Sequence, residues 1–242
     1  MSTFVLVPGM WLGGWAWDGV AERLRAAGHD VRPVTLTGVG ERIGEDGPGA
    51  DLDRHARDVI EAVGDDRDVI LVGHSYGGMP VTMAADRIPE RVARIVYVDS
   101  GPLADGARQI DFSDPEEKSG IETDQPVPSR PWEPADDPVL LAGLDADTIA
   151  LLKARATTHP YASIVSPLTR VGAREGGKPV PMSMVACSMP LDQVRAMVAQ
   201  QHPMFALLAG ADLYGLPTGH WPMLSEPARL SALLDEIARE RS

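Results

Sequence analysis

Three features of this 242-residue chain predict an α/β protein with a doubly wound, mostly parallel six-stranded sheet. Short apolar, β-branched runs alternate with helix-length segments through its first part, and helices crossing between apolar strands imply parallel pairing. One run, Val69-Ile70-Leu71-Val72, climbs into Gly73-His74-Ser75-Tyr76-Gly77 and is followed by a small-residue helical pattern at Met83-Ala84-Ala85. Two more apolar runs return only after a long interruption, so the sheet is completed late in the chain.

The elements follow in order. Thr3–Val7 reads as the first strand. A helix over Asp18–Ala27 has Asp18 as its N-cap and Gly28 just past its end. The second strand spans about Val31–Leu36, and a helix near Leu52–Val63 precedes the third strand, Val69–Val72. The helix after Ser75 leads to a fourth strand at Arg94–Val98. Strands five (Met182–Cys187) and six (near Leu213–Leu216) come much later, with a closing helix from Pro227. Between strands four and five, Ser113–Asp137 clusters Pro, Asp and Glu with little periodicity, and Leu140–Ala154 has a helical pattern. A stretch this long inside one domain reads as a lid. Residues 1–101 and 182–242 are therefore expected to form the core, and 102–181 a cap inserted after strand four.

Composition excludes several classes. A formal charge of −13 argues against nucleic acid and anionic membranes as partners and fits a solvated acidic surface. The single cysteine, Cys187, rules out an internal disulfide and a cysteine-rich metal site, and its apolar neighbours predict a buried, inert thiol. A positively charged leader and an apolar run of membrane-spanning length are both missing, so a cytoplasmic protein is expected. The chain carries no phosphate-binding glycine loop and no metal-binding histidine spacing, so neither cofactor nor metal is expected. The residues specify no oligomeric state, and a small-molecule substrate is the expected partner.

The chemistry centres on Ser75. A Gly-x-Ser-x-Gly turn between a strand and a helix holds its serine on a sharp bend with the oxygen exposed, and the glycines two residues away on either side keep side chains clear. Such a serine needs a base to take its proton. His220, in Thr218-Gly219-His220-Trp221-Pro222 directly after the last strand, is the candidate. The other histidines have plainer readings. His29 follows a helix end, His55 lies within a charged helix, and His202 sits in a polar segment. His74 adjoins the serine but points elsewhere on the turn. His159 belongs to the cap, within reach of substrate but outside the scaffold.

With Val7-Pro8-Gly9-Met10-Trp11-Leu12-Gly13-Gly14-Trp15 at its start, the chain resembles the α/β-hydrolase superfamily. The likeness is to its compact branch of plant methylesterases, hydroxynitrile lyases and small bacterial esterases, and it covers almost everything but the cap. The resemblance implies a strand order of 2-1-3-4-5-6, whose switch point puts residues 8–11 and Ser75 at the ligand site. It also implies an oxyanion hole from the backbone N–H groups of Met10 and Tyr76. Pro8 stands where a histidine is common in the family. Trp11 and Trp221 flank the site and are expected to touch substrate.

Two carboxylates compete to orient the base. Family members usually carry the acid after strand five, where this chain has Pro190 and, two residues late, Asp192, which has a plain role as a helix N-cap. Asp99 ends strand four beside the nucleophile strand, and a buried carboxylate there requires a partner. Asp99 is the expected third member and Asp192 the alternative. The expected function is hydrolysis of a small, largely apolar ester, thioester or lactone through an acyl-enzyme. The expected pocket has apolar walls, with Trp132 and Tyr161 from the cap and scattered basic residues (Lys118, Arg130, Lys153, Arg155, Arg170, Arg174, Lys178). A lyase or cyclase on the same scaffold and a catalytically silent binding protein are the competing readings. Trp221 replaces the lysine that holds cyanide in hydroxynitrile lyases, so cyanide chemistry is not expected.

Overall fold

A computed structural model describes residues 1–45, 49–113, 115–170 and 179–240, without the side chains of 115–117. Arg174 and Lys178, expected among the basic residues of the cap, lie outside the described residues.

Six strands form one fully parallel sheet in the order β2-β1-β3-β4-β5-β6. They are β1 Thr3–Val7, β2 Asp30–Pro33, β3 Val69–His74, β4 Val92–Val98, β5 Met182–Ala186 and β6 Asp212–Gly215. β2 and β6 each begin one residue earlier than their apolar runs suggest. Val34 and Leu216, just past the ends of these strands, still donate N–H bonds to Leu6 and Ala186.

Alternate residues of each central strand face opposite layers. Phe4, Leu6, Ile70, Val72, Val96 and Val98 pack on α1 (Asp18–Ala26) and the C-terminal helix α9 (Pro227–Arg239). Val5, Val7, Val69, Leu71, Ile95 and Tyr97 pack on α2 (Leu52–Val63), α3 (Gly78–Arg87) and α7 (Leu191–Ala199). Both faces of the strands are buried, which is why their sequences read as continuous apolar runs. Asp51 caps α2 by accepting the Arg54 N–H at 2.7 Å. The predicted cap at Asp18 is not used: Trp17 is the N-cap of α1 and Asp18 its first residue, a place where a carboxylate favours the helix dipole. Pro80 is accommodated because it falls in the first turn of α3, where an amide hydrogen has no intrahelical partner.

Among the described residues between β4 and β5 lie three short α-helices, α4 (Pro115–Gly120), α5 (Ala146–Arg155) and α6 (Tyr161–Val165), and much irregular chain. The helix predicted from Leu140 starts only at Ala146, capped by Asp145 on the Thr148 N–H at 2.8 Å. Residues 140–142 are used otherwise: the carbonyls of Leu140 and Ala142 accept the N–H groups of His220 and Gly219 at 2.6 and 3.0 Å. Gly219 is required there, since a Cβ would lie 2.3 Å from the Leu140 oxygen. The last helical segment before α9 is α8, Pro222–Ser225.

Candidate active site

The sheet register sets the stage. His74 pairs with Val98, and Val98 with Val185, so Ser75, Asp99 and the Cys187–Ser188 loop all emerge at one edge of the sheet. Ser75 has φ +51° and Asp99 φ +45°, both left-handed. The elbow cannot carry larger residues. A Cβ on Gly73 would lie 2.7 Å from the Gly77 carbonyl oxygen, and one on Gly77 2.6 Å from the carbonyl oxygens of Val7 and Pro8. The Ser100 hydroxyl donates to the Ser75 carbonyl at 2.7 Å and braces the strained turn.

Asp99 is brought to His220. Its Oδ2 lies 2.6 Å from His220 Nδ1 and also accepts the Ser188 hydroxyl at 2.6 Å. Its Oδ1 accepts the backbone N–H groups of Cys187 and Ser188, both at 3.0 Å. Burial would raise this carboxyl. The hydrogen bond and charge of His220, with the donors on Ser188 and Cys187, outweigh burial and hold it below the usual carboxylate range. Asp192 is not brought to His220. Its side chain is 95% exposed, its contact is with Arg195, and Pro190, not Asp192, is the N-cap of α7.

Ser75 and His220 line a shared cavity with two lobes of about 470 and 500 Å³. Among the described residues the Ser75 hydroxyl makes no hydrogen bond. Met10, Trp11, Arg130, Ile164 and Trp221 wall the first lobe, and Met79, Leu103, Met184, Met189 and Phe205 the second. Trp11 and Trp221 are therefore at the cavity. Trp132 is buried behind them, edge-on to Trp11 and Trp221 with ring centroids 6.0 and 5.0 Å apart, and belongs to the core shared with α1 and α9. Tyr161 lines a different cavity, beside Gly38 and Ile43. Of the basic residues expected there, Arg130 is at the cavity, tied to Asp137 at 2.5 Å and lying over the Trp221 ring at 5.4 Å.

Three buried histidines have more specific places than the sequence suggested. His74 does not turn away from the site. Its Nδ1 accepts the Gly9 N–H at 3.2 Å, and its Nε2 donates to the His220 carbonyl at 2.6 Å. Burial, followed by the neighbouring His220, lowers its pKa to about 3. His55 is fully buried rather than part of a solvated helix face; it accepts from the Tyr76 hydroxyl and donates to the Thr37 carbonyl, both at 2.8 Å. His159 packs into the scaffold, contrary to expectation: its Nδ1 accepts the Trp11 N–H at 3.4 Å. No local pattern marks these roles, because each partner lies far away in sequence. Cys187 is buried as expected, and burial pushes its thiol up.

The family model described as "Alpha/beta hydrolase family" matches residues 4–233. The chain belongs to the α/β hydrolase family. Methylesterase 7 of Arabidopsis thaliana is 30% identical over 257 aligned positions, covering 97% of this chain and 95% of its own. A carbendazim-hydrolysing esterase of Nocardioides sp. is 48% identical over 102 residues, so this chain spans only 42% of that protein's length. Among solved structures, an extracellular α/β-hydrolase from a Paenibacillus species superposes with a TM-score of 0.78 over 98% of both chains at 20% identity, a likeness of fold. The resemblance to the methylesterase branch read from the sequence therefore holds. Among the described residues no helix of this hydrolase is long and apolar enough to cross a membrane.

Proposed function

We propose that this hydrolase is a serine esterase whose triad is Ser75, His220 and Asp99, and that it cleaves small, largely apolar esters through an acyl-enzyme. One observation carries the reading: the 2.6 Å contact between Asp99 and His220, at a cavity that also exposes a strained elbow serine. In this scheme His220 Nε2 takes the Ser75 proton as Oγ attacks the ester carbonyl, and later returns it to the departing alcohol. Asp99 keeps the Nδ1 proton in place and stabilises the imidazolium. The N–H groups of Met10 and Tyr76 receive the oxyanion. Residues 102–181 act as a cap supplying Gln109, Phe112, Arg130 and Ile164 to the cavity wall.

Two lobes meeting at Ser75 and His220 suit an ester with an apolar group on each side of the carbonyl. Aromatic methyl esters and carbamates are the first substrates to try, since the relatives include a methylesterase and an esterase named for carbendazim hydrolysis. A fluorophosphonate probe should label Ser75, and Ser75→Ala should lower kcat on a nitrophenyl ester by roughly 10³-fold or more. Label on another residue, or most activity retained in the variant, would overturn the assignment.

A further inference from the structure

We infer that His159, reaching down from the stretch between β4 and β5, is a positioning residue for the oxyanion loop at Met10, opposite His74. The inference rests on the serine esterase reading and adds a part to it. Three successive N–H groups, those of Gly9, Met10 and Trp11, run along the loop after β1. The first is captured by His74 Nδ1 at 3.2 Å and the third by His159 Nδ1 at 3.4 Å. Met10 lies between these two anchored peptides, at the cavity wall.

Trp11 shows why an anchor is needed. It has φ +68°, a left-handed conformation that is strained for a bulky residue unless its surroundings hold it. Residues 157–159 hold it twice: Thr157 donates its N–H to the Trp11 carbonyl at 3.0 Å, and His159 accepts the Trp11 N–H. The imidazole is itself fixed, edge-on to Tyr76 and His55 at 4.7 and 5.8 Å between centroids, and its backbone pairs with Val127 in both directions.

Accepting at Nδ1 leaves the hydrogen of neutral His159 on Nε2, which is buried with no hydrogen-bond partner among the described residues. An orphaned buried donor is destabilising, and an apolar side chain would fill the space without it. The acceptor at Nδ1 is what only the histidine offers Trp11. Burial keeps the ring neutral and that acceptor available. The stretch between β4 and β5 thus helps to shape the oxyanion hole as well as the pocket.

The test compares H159L, which removes the acceptor, with H159N, whose Oδ1 sits near the position of Nδ1. Each is assayed on a nitrophenyl ester and titrated with a trifluoromethyl ketone, whose carbonyl becomes an oxyanion on addition of Ser75. H159L should lose about 10- to 100-fold in kcat with KM little changed, less than the cost of deleting an oxyanion donor outright. Its affinity for the ketone should fall by the same factor, and H159N should recover most of both. A purely structural role would lower Tm and leave the kcat and ketone affinity of the folded protein unchanged, and that result overturns the inference. If H159L does not fold, H159M offers a flexible apolar filler without the nitrogen, with the same expected losses. Turnover that survives Ser75→Ala would instead overturn the esterase reading beneath it.

Discussion

Replacing Asp99 by Asn changes one charge and almost no volume, and the surrounding hydrogen bonds dictate how the new amide must sit. Asp99 Oδ1 receives two backbone N–H groups, from Cys187 and Ser188, while Oδ2 faces His220 Nδ1 and the Ser188 hydroxyl. Asparagine has a single acceptor. Turning its NH2 toward the two amides would leave two buried donors unpaired, at about 1–3 kcal/mol each. The carbonyl therefore stays on the amides and the NH2 faces His220. A donor facing Nδ1 forces the imidazole proton onto Nε2, the nitrogen that in the proposed mechanism accepts from Ser75. The charge that stabilises the imidazolium disappears as well. Asp99→Asn should lower kcat by roughly 10²–10⁴-fold, about 2.7–5.5 kcal/mol. The fold should survive, because Asn tolerates the left-handed φ of +45° at this position. Steady-state kcat on a short-chain nitrophenyl ester, with circular dichroism as the folding control, measures the effect. Asp192→Asn is the matched control and should stay within a few-fold in rate and stability, since that side chain is exposed. A folded Asp99→Asn within tenfold of the parent, or a larger loss in Asp192→Asn, would refute the reasoning.

Two further expectations concern the scaffold. Trp132→Ala should destabilise by about 3–5 kcal/mol in denaturant unfolding, because this buried indole packs between Trp11 and Trp221 rather than lining a removable lid. A loss below 1 kcal/mol would show that the stretch between β4 and β5 does not share the main core. Acid should unfold the protein readily. His55, His74 and His159 are held below the ordinary histidine value by burial, so below about pH 6.5 the unfolded chain takes up protons that the native state refuses. Stability is complete above that value and falls as pH drops, by about 1.4 kcal/mol per pH unit for each histidine still neutral in the fold. Lowered Asp99 adds a loss of the same sign below about pH 4. Chemical denaturation at pH 7 and pH 5 checks the slope, and equal stability at both would contradict the neutral buried state.

Much of the molecule was legible in its residues because the signals are local. Continuous apolar, β-branched runs named five strands to within two residues at each end and located β2, and the glycines around Ser75 announced a turn that no side chain could crowd. The loop at His220 could be placed because it follows directly on the last strand. Other assignments depended on meetings between distant segments. The place of Asp99 at the end of the strand beside β3 favours it over Asp192, but its contact with His220, 121 residues away, is made only in the tertiary structure. The helix expected from Leu140 gave way because its first carbonyls are bonded to Gly219 and His220. His74 and His159 looked incidental for the same reason, since their partners Gly9 and Trp11 lie 65 and 148 residues away. Backbone periodicity and covalent geometry determine elements and turns within a short span of chain. Which acceptor meets which donor is decided only when packing closes the loops over the end of the sheet.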